Sequence, residues 1–131
     1  MKETSWLPSS GPMPRPESVE QAKTVLKNEA FDAANVQTIT FRALEFTAIC
    51  PRSGQPDFGQ VTIQYTPNKK CIESKALKFY LWSFREEGCF CESLAARIAD
   101  DIVEAIAPQS VTVTVHQSAR GGIELEATAV R

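Results

Sequence analysis

The chain has 131 residues, 43% hydrophobic and 23% charged, which allows one globular domain with one core and excludes a second catalytic domain, a disordered chain or a fibre. A formal charge of −2 and a pI near 5.4 exclude the broad basic field that binding nucleic acid through its phosphates requires. No apolar run reaches the ~18 residues of a membrane span, and the first residues lack the basic start and apolar stretch of a secretion signal, so the expected compartment is the cytoplasm, where cysteines 50, 71, 89 and 91 stay thiols.

In chain order, Pro8, Pro12, Pro14 and Pro16 with Ser9, Ser10 and Gly11 cannot form a packed helix or a central strand, and they predict an N-terminal arm. Weak helical spacing through Val19, Ala22, Val25 and Leu26 predicts a short helix over residues 17–28, and the arm with this helix is set apart from a single domain over 29–131. Residues 36–50 are rich in β-branched and aromatic side chains and predict a long strand, with Arg42, Leu44, Phe46, Ala48 and Cys50 on one face. The segment Pro51-Arg52-Ser53-Gly54-Gln55-Pro56-Asp57 breaks it, and Val61, Ile63 and Tyr65 alternate with polar residues in a second strand, expected to pair antiparallel with the first.

The period then changes. Leu77, Tyr80, Leu81 and Phe84 share one face of a helix expected over 74–86, ended by Gly88. Leu94, Ala95, Ile98, Ile102, Val103 and Ile106 predict a second helix from Cys91 until Pro108 forbids continuation. Val111, Val113 and Val115, then Ile123, Leu125, Ala127 and Ala129, alternate around Arg120-Gly121-Gly122 and predict a closing hairpin. The order ββααββ implies an α+β fold: a four-stranded antiparallel sheet with two helices on one face. Its two long edges leave backbone groups unpaired, so association edge to edge into a ring oligomer is expected.

Three groups of residues have chemistry to offer, each with a plainer reading beside it. Cys50 closes a strand next to a Pro/Gly loop; it is either a buried structural thiol or a nucleophile, with Asp57 seven residues on as its acid/base partner. Lys75 and Lys78 lie three apart in the first turns of a helix, on a solvated face or placed to meet an anionic ligand. Cys89-Phe90-Cys91-Glu92 opens the next helix. Its Cys-x-Cys spacing and the lone imidazole, His116, do not match a zinc site, and Glu92 serves either to compensate the helix dipole or to accept two N–H bonds from an amino-pyrimidinone ring.

Taken together, these segments resemble the QueF family of NADPH-dependent 7-cyano-7-deazaguanine reductases, relatives of GTP cyclohydrolase I that share the tunnelling fold, or T-fold. The likeness spans residues 41–128. It is carried by Cys50-Pro51-Arg52-Ser53-Gly54-Gln55-Pro56-Asp57, by Glu73-Ser74-Lys75-Ala76-Leu77-Lys78, by Ser83-Phe84-Arg85 with Gly88 and Phe90-Cys91-Glu92, and by Arg120-Gly121-Gly122. The resemblance implies that Cys50 attacks the nitrile carbon to give a thioimide while Asp57 protonates its nitrogen. It implies that Ile72, Glu73, Ser74, Cys91 and Glu92 bind the deazaguanine, that Lys75, Lys78 and Arg120 meet the phosphates of NADPH, and that no metal takes part. It places these sites between subunits of a homo-oligomer, typically two stacked pentamers, acting on a small molecule in queuosine (tRNA modification) biosynthesis with no direct nucleic-acid partner.

One departure stands out: Cys91 occupies the position where many members carry histidine, and a thiol positions substrate or passes protons more weakly than an imidazole. Cys91 or Cys89 is also a candidate for an oxidative disulfide with Cys50. The rival readings are a T-fold amidinotransferase acting on nitrile-modified tRNA, against which the Lys75/Lys78 signature argues, a zinc-dependent T-fold hydrolase, and a purine- or pterin-binding module without chemistry.

Overall fold

The structure, a computed structural model, describes residues 7–8 and 10–131; Met1–Trp6 and Ser9, part of the expected arm, lie outside the described residues. Its elements are α1 (Val19–Asn28), β1 (Phe31–Asp32), β2 (Ile39–Ile49), β3 (Pro56–Thr66), β4 (Lys70–Cys71), α2 (Ser74–Trp82), α3 (Cys91–Ile106), β5 (Ser110–Arg120) and β6 (Ile123–Val130). The four long strands form one antiparallel sheet in the order β2-β3-β5-β6, while β1 and β4 make a two-residue ladder apart from it. The expected ββααββ order and antiparallel sheet are therefore present. The short β1-β4 ladder has no alternating pattern in the sequence to announce it.

The core lies between the sheet and the helices. Val61, Ile63 and Tyr65 of β3 and Val111, Val113 and Val115 of β5 face Leu94, Ile98, Ile102 and Ile106 of α3 and Ala76, Leu77 and Tyr80 of α2. Phe84 lies at its centre, edge-on to Tyr80 with ring centroids 5.2 Å apart, an arrangement worth ~0.5–1.5 kcal/mol beyond area burial. Tyr80 donates to the buried Asp101 carboxylate at 2.5 Å, and Lys23 of α1 stands 3.4 Å from the same carboxylate, so a charged network ties all three helices together.

Five findings differ from the sequence reading. Leu44 is exposed, because the register of β2 shifts between Ala43 and Phe46; the extra residue moves Phe41 and Ala43 to the core side before the bulge, and Phe46 and Ala48 after it. Ile123 is exposed because it sits at the hairpin tip, past the end of the core that its face of β6 covers at Ala129, and Val103 lies on the outer side of α3. Helix α2 stops at Trp82 rather than near Glu86, and turns carry the chain onward. Helix α1 is part of the core rather than of a detached arm: Val19, Ala22, Val25 and Leu26 are all buried in the central cluster. Ser18 caps it, its Oγ accepting from the Gln21 N–H at 3.0 Å, worth ~1 kcal/mol.

Candidate functional site

Strand β2 ends in a tight loop that determines what the Cys50 sulfur meets. The Cys50 N–H donates to Gln55 O and the Gly54 N–H to Cys50 O, both at 2.9 Å, a closure that Gly54 permits by adopting φ +71°. The Ser53 N–H is thereby aimed at Cys50 Sγ, 3.4 Å away. On the other side, Ile49 exchanges backbone hydrogen bonds with Glu87 and Cys89, which brings the start of α3 alongside. The Cys50 thiol is only 9% exposed yet shallow, and it is pushed down to about 7. The Ser53 hydroxyl contributes most, then the backbone N–H groups of Ser53 and Arg52, then the Arg120 guanidinium, against a small opposing effect of burial. Cys89 and Cys91 move the other way, pushed up chiefly by burial. All four cysteines are free.

Asp57 pairs across the ladder with Ala48, so its side chain shares the core face that Cys50 occupies just past the end of β2. Asp57 is one of two buried charged residues among those described, and its Oδ1 accepts from Arg120 Nη1 at 2.6 Å. Gln117 completes the group. Its amide oxygen, oriented by the donors it faces, accepts from Arg120 Nη2 at 2.7 Å and Nε at 3.1 Å. It reaches that position because it pairs with Gly59, where a Cβ would stand 2.2 Å from His116 O; without one, β3 and β5 close up beside Asp57.

Cys50, Asp57 and Arg120 thus meet at one end of the sheet, with Cys91 and the exposed Glu92 in the first turn of α3 nearby. The Cys91 side chain turns into the core and donates to Val115 O at 3.4 Å, so it offers no thiol to solvent. The pocket beneath Asp57, about 20 Å³, is too small for a fused bicyclic base.

The other expected site residues lie elsewhere. Ile72 is buried at the far end of β3, its N–H donating to the Tyr65 hydroxyl at 2.9 Å. Tyr65 stands eight residues along the strand from Asp57, a separation of ~26 Å at ~3.3 Å per residue. Glu73 caps α2, its Oε1 accepting from the Ala76 N–H at 2.8 Å. Lys75 donates to Pro8 O at 2.5 Å, whereas Ser74 and Lys78 face a cavity of about 670 Å³ between α2 and β2, with Arg42, Arg85 and Trp82 on its walls. One chain therefore does not unite the two sets. Arg120 stands with the cysteine and not with the lysines.

Ser53 and Gln117 are site residues that the sequence reading did not single out. Ser53 sits inside the Cys50–Asp57 segment, where its hydroxyl was a visible signal; Gln117 carries none, because its place is determined by the pairing of β5 with β3. Among the described residues no group of three His, Cys, Asp or Glu is arranged to hold a metal, and no helix is long and apolar enough to cross a membrane.

The chain matches the family model described as QueF-like protein over residues 56–131. It is 50% identical over 91 residues to the NADPH-dependent 7-cyano-7-deazaguanine reductase of Anaeromyxobacter sp. (strain Fw109-5), covering 70% of this chain and 75% of that protein. It is 52% identical over 79 residues to the protein of the same name from Nitrosomonas europaea, covering 60% and 57%. In structure it resembles the archaeosine synthase QueF-Like in its apo form, with a TM-score of 0.70 and 25% identity over 74% of this chain and 95% of that one.

Proposed function

The chain belongs to the QueF family, and from that premise we propose that it reduces the nitrile of 7-cyano-7-deazaguanine to an aminomethyl group with NADPH, through a thioimide on Cys50. The observation that carries this reading is the Cys50 sulfur, which is held near pH 7 in its ionisation while the neighbouring thiols are pushed up, with a carboxylate on the same face. A thiolate is the attacking form, and the lowered pKa of Cys50 favours it at neutral pH.

In the proposed reaction the Cys50 thiol passes its proton to the Asp57 carboxylate, the sulfur bonds to the nitrile carbon as one C–N π bond breaks, and Asp57 hands that proton on to the nitrogen. NADPH supplies two hydrides to carbon, one per molecule, and two protons complete the balance from nitrile to primary amine. After the first hydride, the C–S bond breaks and returns Cys50 as thiolate, leaving an imine for the second. The cationic walls around Ser74 and Lys78 suit dinucleotide phosphates in chemistry, and Lys75 flanks them on α2. Because the Ile72 segment stands at the far end of β3 from Cys50 in one chain, the working site is proposed to lie between copies in a ring, with Glu92 and the Ile72–Glu73–Ser74 segment holding the base. The free thiols fit a cytoplasmic setting, and the product fits queuosine biosynthesis.

Incubation with 7-cyano-7-deazaguanine and no reductant, followed by peptide mass spectrometry, is expected to find an adduct on Cys50 that Cys50→Ala abolishes. Addition of NADPH is expected to discharge it with two NADPH consumed per nitrile. A second reading, amidinotransfer to a nitrile, is favoured by the likeness to archaeosine synthase QueF-Like; an adduct that forms while NADPH absorbance stays flat selects it.

A further inference from the structure

Arg120 ends β5 at the hairpin, half exposed, and its guanidinium is committed on both edges. A guanidinium presents five N–H donors in a fixed planar fork. Here Nη1 serves Asp57, and Nη2 with Nε serves the Gln117 amide oxygen. The two acceptors differ in kind: a nearly buried carboxylate needs a cation beside it, whereas a neutral amide orients the fork without competing for its charge. The positions follow from the sheet, since Gly59 lets Gln117 approach and the register shift after Gln117 swings Arg120 back over the core face.

We propose that Arg120, oriented by Gln117, is a positioning residue for the Cys50–Asp57 pair. It holds the Asp57 carboxyl in place on the face where the sulfur attacks. The assignment deepens the reductase reading, on which it rests only for the reaction the pair serves. The same cation is the charged side chain among the groups that favour the Cys50 thiolate. The other titratable or charged groups around the thiol are Asp57 on β3, Arg52 in the loop, and Glu87, Cys89, Cys91 and Glu92 on the segment that leads into α3.

The test is the pH dependence of Cys50 alkylation by iodoacetamide, read by peptide mass spectrometry, which needs neither nitrile nor NADPH. The wild type is expected to be half-maximal near pH 7. Arg120→Met is expected to move the midpoint up by about half a pH unit, which slows alkylation at pH 7 about two-fold, and Gln117→Leu to move it the same way by less. In turnover, Arg120→Lys keeps a positive charge for phosphate but loses the fork, so kcat is expected to fall about ten-fold or more with the KM for NADPH within about two-fold of wild type. Superimposable alkylation profiles in all variants, or a KM raised about ten-fold with kcat retained in Arg120→Lys, overturn the proposal. Absence of NADPH turnover in the wild type sinks the reductase reading instead, and the alkylation profiles still decide the role of Arg120.

Discussion

A thiol attacks a nitrile as thiolate, and the charge that develops on nitrogen must meet a proton. Cys50 has the first condition from its own loop, since Ser53 and two backbone N–H groups reach the sulfur before any remote residue does. Asp57 has the second in prospect, and Asp57→Asn isolates it: the amide still accepts from Arg120 but has no acidic proton to deliver. Formation of the Cys50 adduct, followed in a single turnover, is expected to slow about 10²-fold or more, with NADPH affinity unchanged. Equal adduct rates in variant and wild type contradict the role given to Asp57. The thiol-to-acid spacing was visible in the sequence, while the clamp of Arg120 and Gln117 over Asp57 was not, because it depends on residues more than 50 positions away.

At the scale of elements, two contacts decide whether the strands deliver these side chains. Gly59→Ala places a methyl group against His116 O, forcing β3 and β5 apart beside Asp57. A loss of about 1–3 kcal/mol is expected, seen as a Tm lower by on the order of 5 °C, together with impaired adduct formation. An unchanged Tm disproves the close approach. At the far end, Tyr65→Phe strips the acceptor from the buried Ile72 N–H and is expected to cost about 1–3 kcal/mol in denaturant unfolding. Burial pushes Tyr65 up to about 12, so the folded state holds its proton more tightly than the unfolded chain. Stability is therefore full below pH ~10 and falls as pH rises from 10 toward 12, and the phenylalanine variant is expected to show a shallower fall. An identical alkaline profile argues against that pairing.

For the whole molecule, the decisive fact is distance. The cysteine set and the Ile72–Ser74 segment occupy opposite ends of β3, and β2 and β6 present unpaired outer edges with Leu44, Ile123 and Val130 exposed on them. If the proposed ring joins one copy's Cys50 end to another's α2 end, two dead variants can rescue each other. Cys50→Ala and Lys78→Ala, refolded together in equal amounts, are expected to recover about a quarter of wild-type activity, since half the cysteine ends and half the lysine ends are intact and combine at random. Recovery no greater than the sum of the two alone rules out a shared site.

The sequence by itself determined the order of elements, the core faces of β3, α3 and β5, and the segments that hold Cys50 and Lys78, because periodicity and short motifs are local properties of a chain. Only the tertiary structure decided that Leu44 faces solvent, that α1 belongs to the core, that the Cys91 thiol points inward, and that Arg120 stands on Asp57. Each of these depends on a bulge, a register shift or the packing of a helix, and such features arise from which distant residues fit side by side, which no window along the sequence contains.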